Sequence, residues 1–284
     1  MFAILHEEIG MIRSISTVID DPDKGQAFLC ELLERARAAD IYTYLTLMTP
    51  APMLSTRIAP FGGLYIPEAE LRSDALAAIA SIRAAAGADY DRLLVKGIYG
   101  DVSWLAHDLR NDDDIADLAL IGPEETWNVP WLRRQSIETL LLASGTPLML
   151  LPQGRTLPAL RHIVLGWKPS AQAVHAARAI VALADPAARI EIVTVGAAPA
   201  ESDRGPKARC GVGDYLRRHG LEATCHWIEG ADCEATALQD FAIERGADVL
   251  AIGGFGHSRV REIVLGGVTR DLIGHCRLPA LLAH

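Results

Sequence analysis

An internal repeat constrains this chain more than any other feature. The run Asp117-Leu-Ala-Leu-Ile-Gly122 returns as Asp248-Val-Leu-Ala-Ile-Gly253, 131 residues later. Pro147 in TPLMLLP returns as Pro279 in LPALLAH, 132 residues later. These apolar runs show no polar alternation, which suits strands covered on both faces of a parallel sheet. Between them lie stretches with helical spacing. In the first copy the pattern predicts strands over 12–19, 41–48, 92–96, 116–121 and 147–151, with helices over 24–39, 68–86, 102–109 and 136–143. In the second it predicts strands over 161–165, 189–195, 222–227, 249–252 and 279–283. Helices are expected over 171–184, 207–219 and 233–245, and another opens at Gly266-Gly267 and runs through Ile273. Val174, Ala177, Val181 and Ala184 mark a buried stripe on the first of these, and Asp232 offers an N-cap to the third.

Strand–helix alternation of this kind implies parallel sheets with right-handed crossovers. The expected fold is α/β, with two tandem doubly wound parallel-sheet domains. They cover 11–152 and 153–284, follow an extension at 1–10, and join where Pro, Gly and Thr cluster between Pro152 and Pro158. A chain of 284 residues has room for two domains of about 140 residues each. Ligands of such sheets lie beyond the carboxyl ends of the strands. The loop that opens at Gly253 falls at such an end.

That loop is rich in glycine. Gly253, Gly254 and Gly256 leave the strand, and after nine further residues Gly266 and Gly267 precede Val268 and Thr269 at a helix start. Glycines let a backbone approach a ligand closely. Open N–H groups at a helix start, with the dipole behind them, attract phosphate. Thr269 adds a hydroxyl, and Arg259, Arg261 and Arg270 are nearby cations. The same glycines could equally serve turns and a tight helix–strand contact.

The spacing Gly253-x2-Gly256-x9-Gly266, followed by a small residue, resembles the nucleotide signature of the universal stress protein family. The flanking ADVLAIGGFG and VLGGVTRDLI are similar to it too, and the strand order fits over nearly the whole chain as two copies. The resemblance implies adenine-nucleotide α-hydrolase-like domains that pair through their last strands, here within one chain as a pseudo-dimer, with room for further pairing of chains. It implies that Gly253, Gly254, Gly256, Gly266, Gly267, Val268 and Thr269 wrap the ribose and phosphates of ATP, with or without Mg2+. Val195 matches the place where family members contact adenine through the backbone. The corner Gly166-Trp167-Lys168 stands where the family often carries an Asp that contacts the nucleotide. Two departures stand out. Gly267 replaces the usual Ser or Thr, and Lys168 cannot accept hydrogen bonds as an Asp does. The first copy departs further, with Gly122-Pro-Glu-Glu125 in place of Gly253-Gly-Phe-Gly256. Pro123 removes a donor, and Glu124 and Glu125 place carboxylates where phosphates would lie.

Charge and composition exclude some classes. The net charge of −9 argues against general nucleic-acid binding. It is unevenly divided: residues 1–152 hold 12 Lys and Arg against 22 Asp and Glu, residues 153–284 hold 15 against 14. The copy with the glycine run therefore repels an anion least. No apolar run reaches the ~18 residues of a membrane span, and the start, with Glu7 and Glu8, lacks the basic opening of a secretory signal. A cytoplasmic protein is expected. Five scattered cysteines without CxxC spacing support neither a zinc knuckle nor a redox motif.

Other constellations carry less. Asn111-Asp112-Asp113-Asp114 lacks EF-hand spacing and reads as a solvated loop. His226, with Cys225 and Glu229 nearby, reads as an exposed strand residue. Cys210-Gly-Val-Gly213 lacks the third glycine of a dinucleotide fingerprint. No GxxxxGK[ST], GxSxG or HExxH occurs, so no base–nucleophile pair is indicated and at most slow ATP hydrolysis is expected. The residues thus lead to a regulatory or protective nucleotide-binding protein. Two alternatives stay open: the same fold acting through protein surfaces without nucleotide, and a slow ATPase or other enzyme of the wider superfamily.

Overall fold

The structure is a computed structural model that describes residues 11–51, 68–87, 90–111, 114–196, 211–254 and 267–284. The first half runs β1 (Ser14–Ile19), α1 (Gln26–Ala38), β2 (Tyr42–Pro50), α2 (Glu68–Ala86), β3 (Leu93–Gly100), α3 (Val102–Asp108), β4 (Leu118–Ile121), α4 (Pro130–Ala143) and β5 (Leu148–Leu150). The second runs β6 (His162–Gly166), α5 (Ala171–Leu183), β7 (Arg189–Val195), α6 (Gly211–Arg218), β8 (Glu222–Ile228), α7 (Glu234–Glu244), β9 (Val249–Gly253), α8 (Gly267–Gly274) and β10 (Ala280–Ala283).

The strands form one ten-stranded sheet in the order β3-β2-β1-β4-β5-β10-β9-β6-β7-β8. Read outward from the middle, each half repeats the same order, so the two doubly wound units are joined through their last strands. That seam, Leu148–Leu150 against Ala280–Leu282, is antiparallel, and every other neighbouring pair is parallel. The pseudo-dimer that the family resemblance implies is therefore formed by continuous backbone pairing within one sheet.

Helices cover both faces. Leu29 and Leu32 of α1, Ile82 of α2, Ile180 of α5 and Leu216 of α6 pack into one core. Leu105 of α3, Leu132 and Ile137 of α4, Leu238 of α7 and Leu272 of α8 pack into the other. This explains the unalternating strands: all of β4, β5, β6 and β10 is buried. Burying the side chains of such strands contributes about 1.5–3 kcal/mol for each large aliphatic residue.

Arg133 of α4 also binds the halves together. It is buried, and its Nε donates to Gly122 O at 3.1 Å while a terminal nitrogen donates to Ile273 O of α8 at 3.2 Å. Burial lowers its pKa from the usual arginine value.

Several local expectations shift. Helix α4 starts at Pro130 rather than Ser136, with proline in its first turn, where the absent N–H costs nothing. On α5 the buried side is Ala173, Ala176, Ala177, Ile180 and Leu183, while Val174 is exposed. Ala177 and Ala184 are buried as the stripe predicts and Val181 packs against the core, so Val174 alone falls outside it. At α7 the N-cap is Cys233 rather than Asp232, and it makes no side-chain cap hydrogen bond. Among the described residues no helix is long and apolar enough to cross a membrane.

Candidate functional site

A cavity lies at the carboxyl ends of β6, β7 and β9, where the topology of an open α/β sheet places ligands. Its volume is about 600 Å³, within the range of small-molecule sites. The floor is apolar: Val193 and Val195 of β7, Ile252 of β9, Leu238 of α7 and Trp167. Three helix starts reach its wall. Ser170 caps α5, its hydroxyl accepting from Ala173 N at 3.1 Å. Cys233 precedes α7, and Gly267 opens α8.

The glycines expected at this site divide by role. Gly166, Gly253 and Gly267 line the cavity. A Cβ on Gly253 would meet Ala173 N at 2.5 Å, and one on Gly166 would meet Leu238 Cδ1 at 2.9 Å. Close packing of backbone on backbone therefore requires Gly253, whereas at Gly166 the nearest atoms are side-chain ends. Gly254 does not line the cavity. A Cβ there would meet Leu141 Cδ2 of α4 at 2.6 Å, so this glycine serves the contact between the halves. Its N–H donates to Ala283 O at 2.7 Å. At Gly267 a Cβ would meet nothing within 4 Å among the described residues. Val268, Thr269, Val195 and Lys168 also line the cavity. Gly256 and Gly266 lie outside the described residues, as do Arg259 and Arg261.

The rim carries charge that the sequence spacing did not bring together. Asp232 and Glu234 from the start of α7 and Asp271 from α8 all face the cavity beside Lys168. The Lys168 ammonium sits 3.4 Å from Glu234 Oε1, with its side chain 82% exposed. Cys233 Sγ lies 3.7 Å from Asp271 Oδ2, bridging α7 and α8. Among the described residues no cluster of three or more His, Cys, Asp or Glu is arranged to hold a metal. Asp114, from the acidic tract, is paired with Lys96 at 2.8 Å.

The matching corner of the first half is built differently. Asp117 Oδ2 accepts the amides of Arg13 and Ser14 at 2.8 and 2.9 Å. Asp248 Oδ2 accepts those of Arg161 and His162 at 3.0 and 2.8 Å. These twin clamps align Ser14 with His162, and hence Asp20 with Lys168. Asp20 turns its carboxylate onto the entrance of α4, where it accepts the N–H groups of Asn128 and Val129 at 2.8 and 2.7 Å. Burial raises its pKa despite those bonds. Lys24 Nζ donates to Asn128 Oδ1 at 3.1 Å and steadies the turn. Glu124 to Thr126 form a single 3-10 turn behind it.

A second polar cluster went unread in the sequence. Glu191 of β7 is buried beneath α7, with its Oε1 at 2.8 Å from His162 Nε2 and its Oε2 at 3.0 Å from His226 Nε2. Arg245 lies 3.7 Å from the same carboxylate, and Arg189 reaches the His162 ring at 2.9 Å. His226 also packs against Phe241, with ring centroids 5.1 Å apart. It is thus a half-buried neighbour of the buried Glu191 carboxylate and not the exposed strand residue expected. A Glu in the middle of the otherwise apolar RIEIVTV strand was the available signal.

No protein-family model matches the chain, and no curated protein does. Solved structures do. A universal stress protein from Archaeoglobus fulgidus DSM 4304 matches at 14% identity with a TM-score of 0.64, covering 96% of each chain. A functionally unknown protein from Pseudomonas aeruginosa PAO1 matches at 13% identity and a TM-score of 0.55, covering 96% of this chain and 92% of that one. A putative universal stress protein from Pseudomonas aeruginosa UCBPP-PA14 matches at 14% identity and a TM-score of 0.54, covering 96% and 93%. Full-length coverage means that both halves and their seam are shared, so this chain has the α/β fold of the tandem universal stress proteins.

Proposed function

We propose that the second half binds one adenine nucleotide in the cavity at the ends of β6, β7 and β9, and that the protein has a regulatory or protective role of the universal stress type. The observation that supports this most is the cavity itself, about 600 Å³ in volume, with an apolar floor and Gly267 on its wall. Val195 would meet the base, and Gly166 and Gly253 keep the helices close enough to shape the walls. Gly267, Val268 and Thr269 would take the phosphate end, with Gly256 and Gly266 contributing from the loop before α8. ATP is the nucleotide the family resemblance implies, and any turnover would be slow. The reading divides the chain at about residue 152, and the first half binds none. There Asp20 already occupies the amides at the start of α4, and Pro123, Glu124 and Glu125 oppose an anion.

A second reading, in which the fold acts through its surfaces with no nucleotide, is favoured by one observation. Lys168, the cation nearest the expected phosphate path among the described lining residues, is engaged by Glu234.

Denaturing the purified protein and chromatographing the supernatant separates the two. The nucleotide reading expects an adenine compound in the supernatant, or its uptake on titration where none is carried over. The variant Gly267→Asp should fold normally, since its Cβ meets nothing within 4 Å among the described residues, and should lose the ligand because a carboxylate then meets the phosphate. Neither release nor uptake by the wild type would leave the surface reading standing.

A further inference from the structure

The groups that close the corner of the first half lead across the seam to the cavity of the second. Asp20 accepts the amides of Asn128 and Val129 at 2.8 and 2.7 Å, which fixes the entrance of α4. One turn into that helix stands the buried Arg133. Its Nε donates to the carbonyl of Gly122 at 3.1 Å, and in the repeat Gly122 is the counterpart of the cavity-lining Gly253. A terminal nitrogen then reaches the other half and donates to Ile273 O at 3.2 Å. Ile273 lies in the last turn of α8, where carbonyls lack a partner within the helix. The helix dipole favours a cation there, and a charged donor makes the stronger hydrogen bond. Gln239 of α7, also buried, holds the chain just beyond, donating to His275 O at 3.2 Å and accepting from Arg277 N at 2.8 Å. The carboxyl end of α8 is thus gripped by one buried polar side chain from each half. Toward the other end of the same helix, Gly267, Val268, Thr269 and Asp271 line the cavity. Its 8 residues span only about 12 Å, so α8 shifts as one rod, and a displacement at its carboxyl end moves the cavity wall.

Resting on the nucleotide reading above, we propose that Arg133 is a positioning residue for the cavity, through which the first half sets how tightly the second holds its nucleotide. It touches no ligand and acts by fixing α8 from the far end. Arg133→Met keeps an unbranched side chain but takes the donor from two carbonyls, and Arg133→Lys returns the charge without the fork of donors. Leu32→Ala is the control, since it weakens the first half in the core on the opposite face of the sheet from α8. Equilibrium dialysis against AMP, at a temperature where every protein is folded, is read beside amide hydrogen exchange over residues 267–274. We expect AMP binding to weaken about tenfold in Arg133→Met, to recover part of that in Arg133→Lys, and to change less than about twofold in Leu32→Ala. Without nucleotide, exchange in α8 should already be faster in Arg133→Met and not in Leu32→Ala. Unchanged AMP affinity in Arg133→Met, or an equal loss in Leu32→Ala, would overturn the positioning role while leaving the nucleotide reading in place. Should Arg133→Met fail to fold, Arg133→Lys decides. Weaker AMP binding with faster exchange in its α8 supports the proposal, and wild-type values of both overturn it. No AMP uptake by the wild type would overturn both the proposal and the reading on which it rests.

Discussion

At the scale of single residues, Glu191 shows how a strand can conceal an ionic group. The carboxylate is buried on the face covered by α7 and is met by His162, His226 and Arg245, while Arg189 approaches the His162 ring. Burial lowers the pKa of His226, the nearby Glu191 opposes that shift, and Arg245 adds to it. The sign for stability follows. Below the ordinary histidine value of 6.5 the unfolded chain takes up a proton that the folded chain refuses. Stability from this residue is present above 6.5 and is lost as pH falls from there through the lower folded value. Replacing His226 by Gln should therefore flatten part of the decline in urea midpoint between pH 7.5 and pH 5.5. An unchanged slope in the variant would mean that His226 takes up its proton equally in both states. The sequence could not show this cluster. Its members come from three strands and a helix end, and only the sheet order puts them side by side. Asp20 was hidden for the same reason, since its partners lie more than a hundred residues away.

Among elements, the paired strands β5 and β10 and the helices beside them carry the union of the halves. Gly254 is the point where that union admits no extra atom, with Leu141 of α4 occupying the space a Cβ would need. Leu141 is itself buried. We expect Gly254→Ala to cost about 1–3 kcal/mol through overpacking. Leu141→Ala alone should cost about 2–5 kcal/mol through the cavity it leaves. Combined, the two should cost clearly less than their sum, because the new methyl fills part of the lost volume. Denaturant unfolding of the four proteins gives the coupling directly, and strict additivity would mean that the two residues do not share this space. Most elements were legible in the sequence, because runs such as LALI and ALLA, set between turn residues and helical stretches, suit strands buried on both faces. What escaped was set by packing. The six residues before Ser136 gave no clear helical period, yet Pro130 starts α4, and Val174 of α5 lies exposed while Ala173 and Ala176 are buried.

For the whole molecule, the repeat foretold two like units, and the sheet joins them last strand to last strand. It also foretold that they would differ. The twin Asp117 and Asp248 clamps hold the first strands of both halves alike, but the next corner carries Asp20 in one and Lys168 in the other. One corner closes on its own helix start, and the other borders a cavity of about 600 Å³. The described glycines of the run divide by use: Gly253 and Gly254 sit in close packing, and Gly267 meets no described atom where a Cβ would stand. No spacing rule separates those uses, because each depends on which helix lies above the glycine.

The central claim is one adenine-nucleotide site per chain, in the second half. Equilibrium dialysis against labelled AMP measures it most directly, with the wild type and Gly267→Asp run side by side. The account predicts saturation at one AMP per chain for the wild type and none for the variant. Saturation at two, no uptake at all, or undiminished uptake by Gly267→Asp would contradict it.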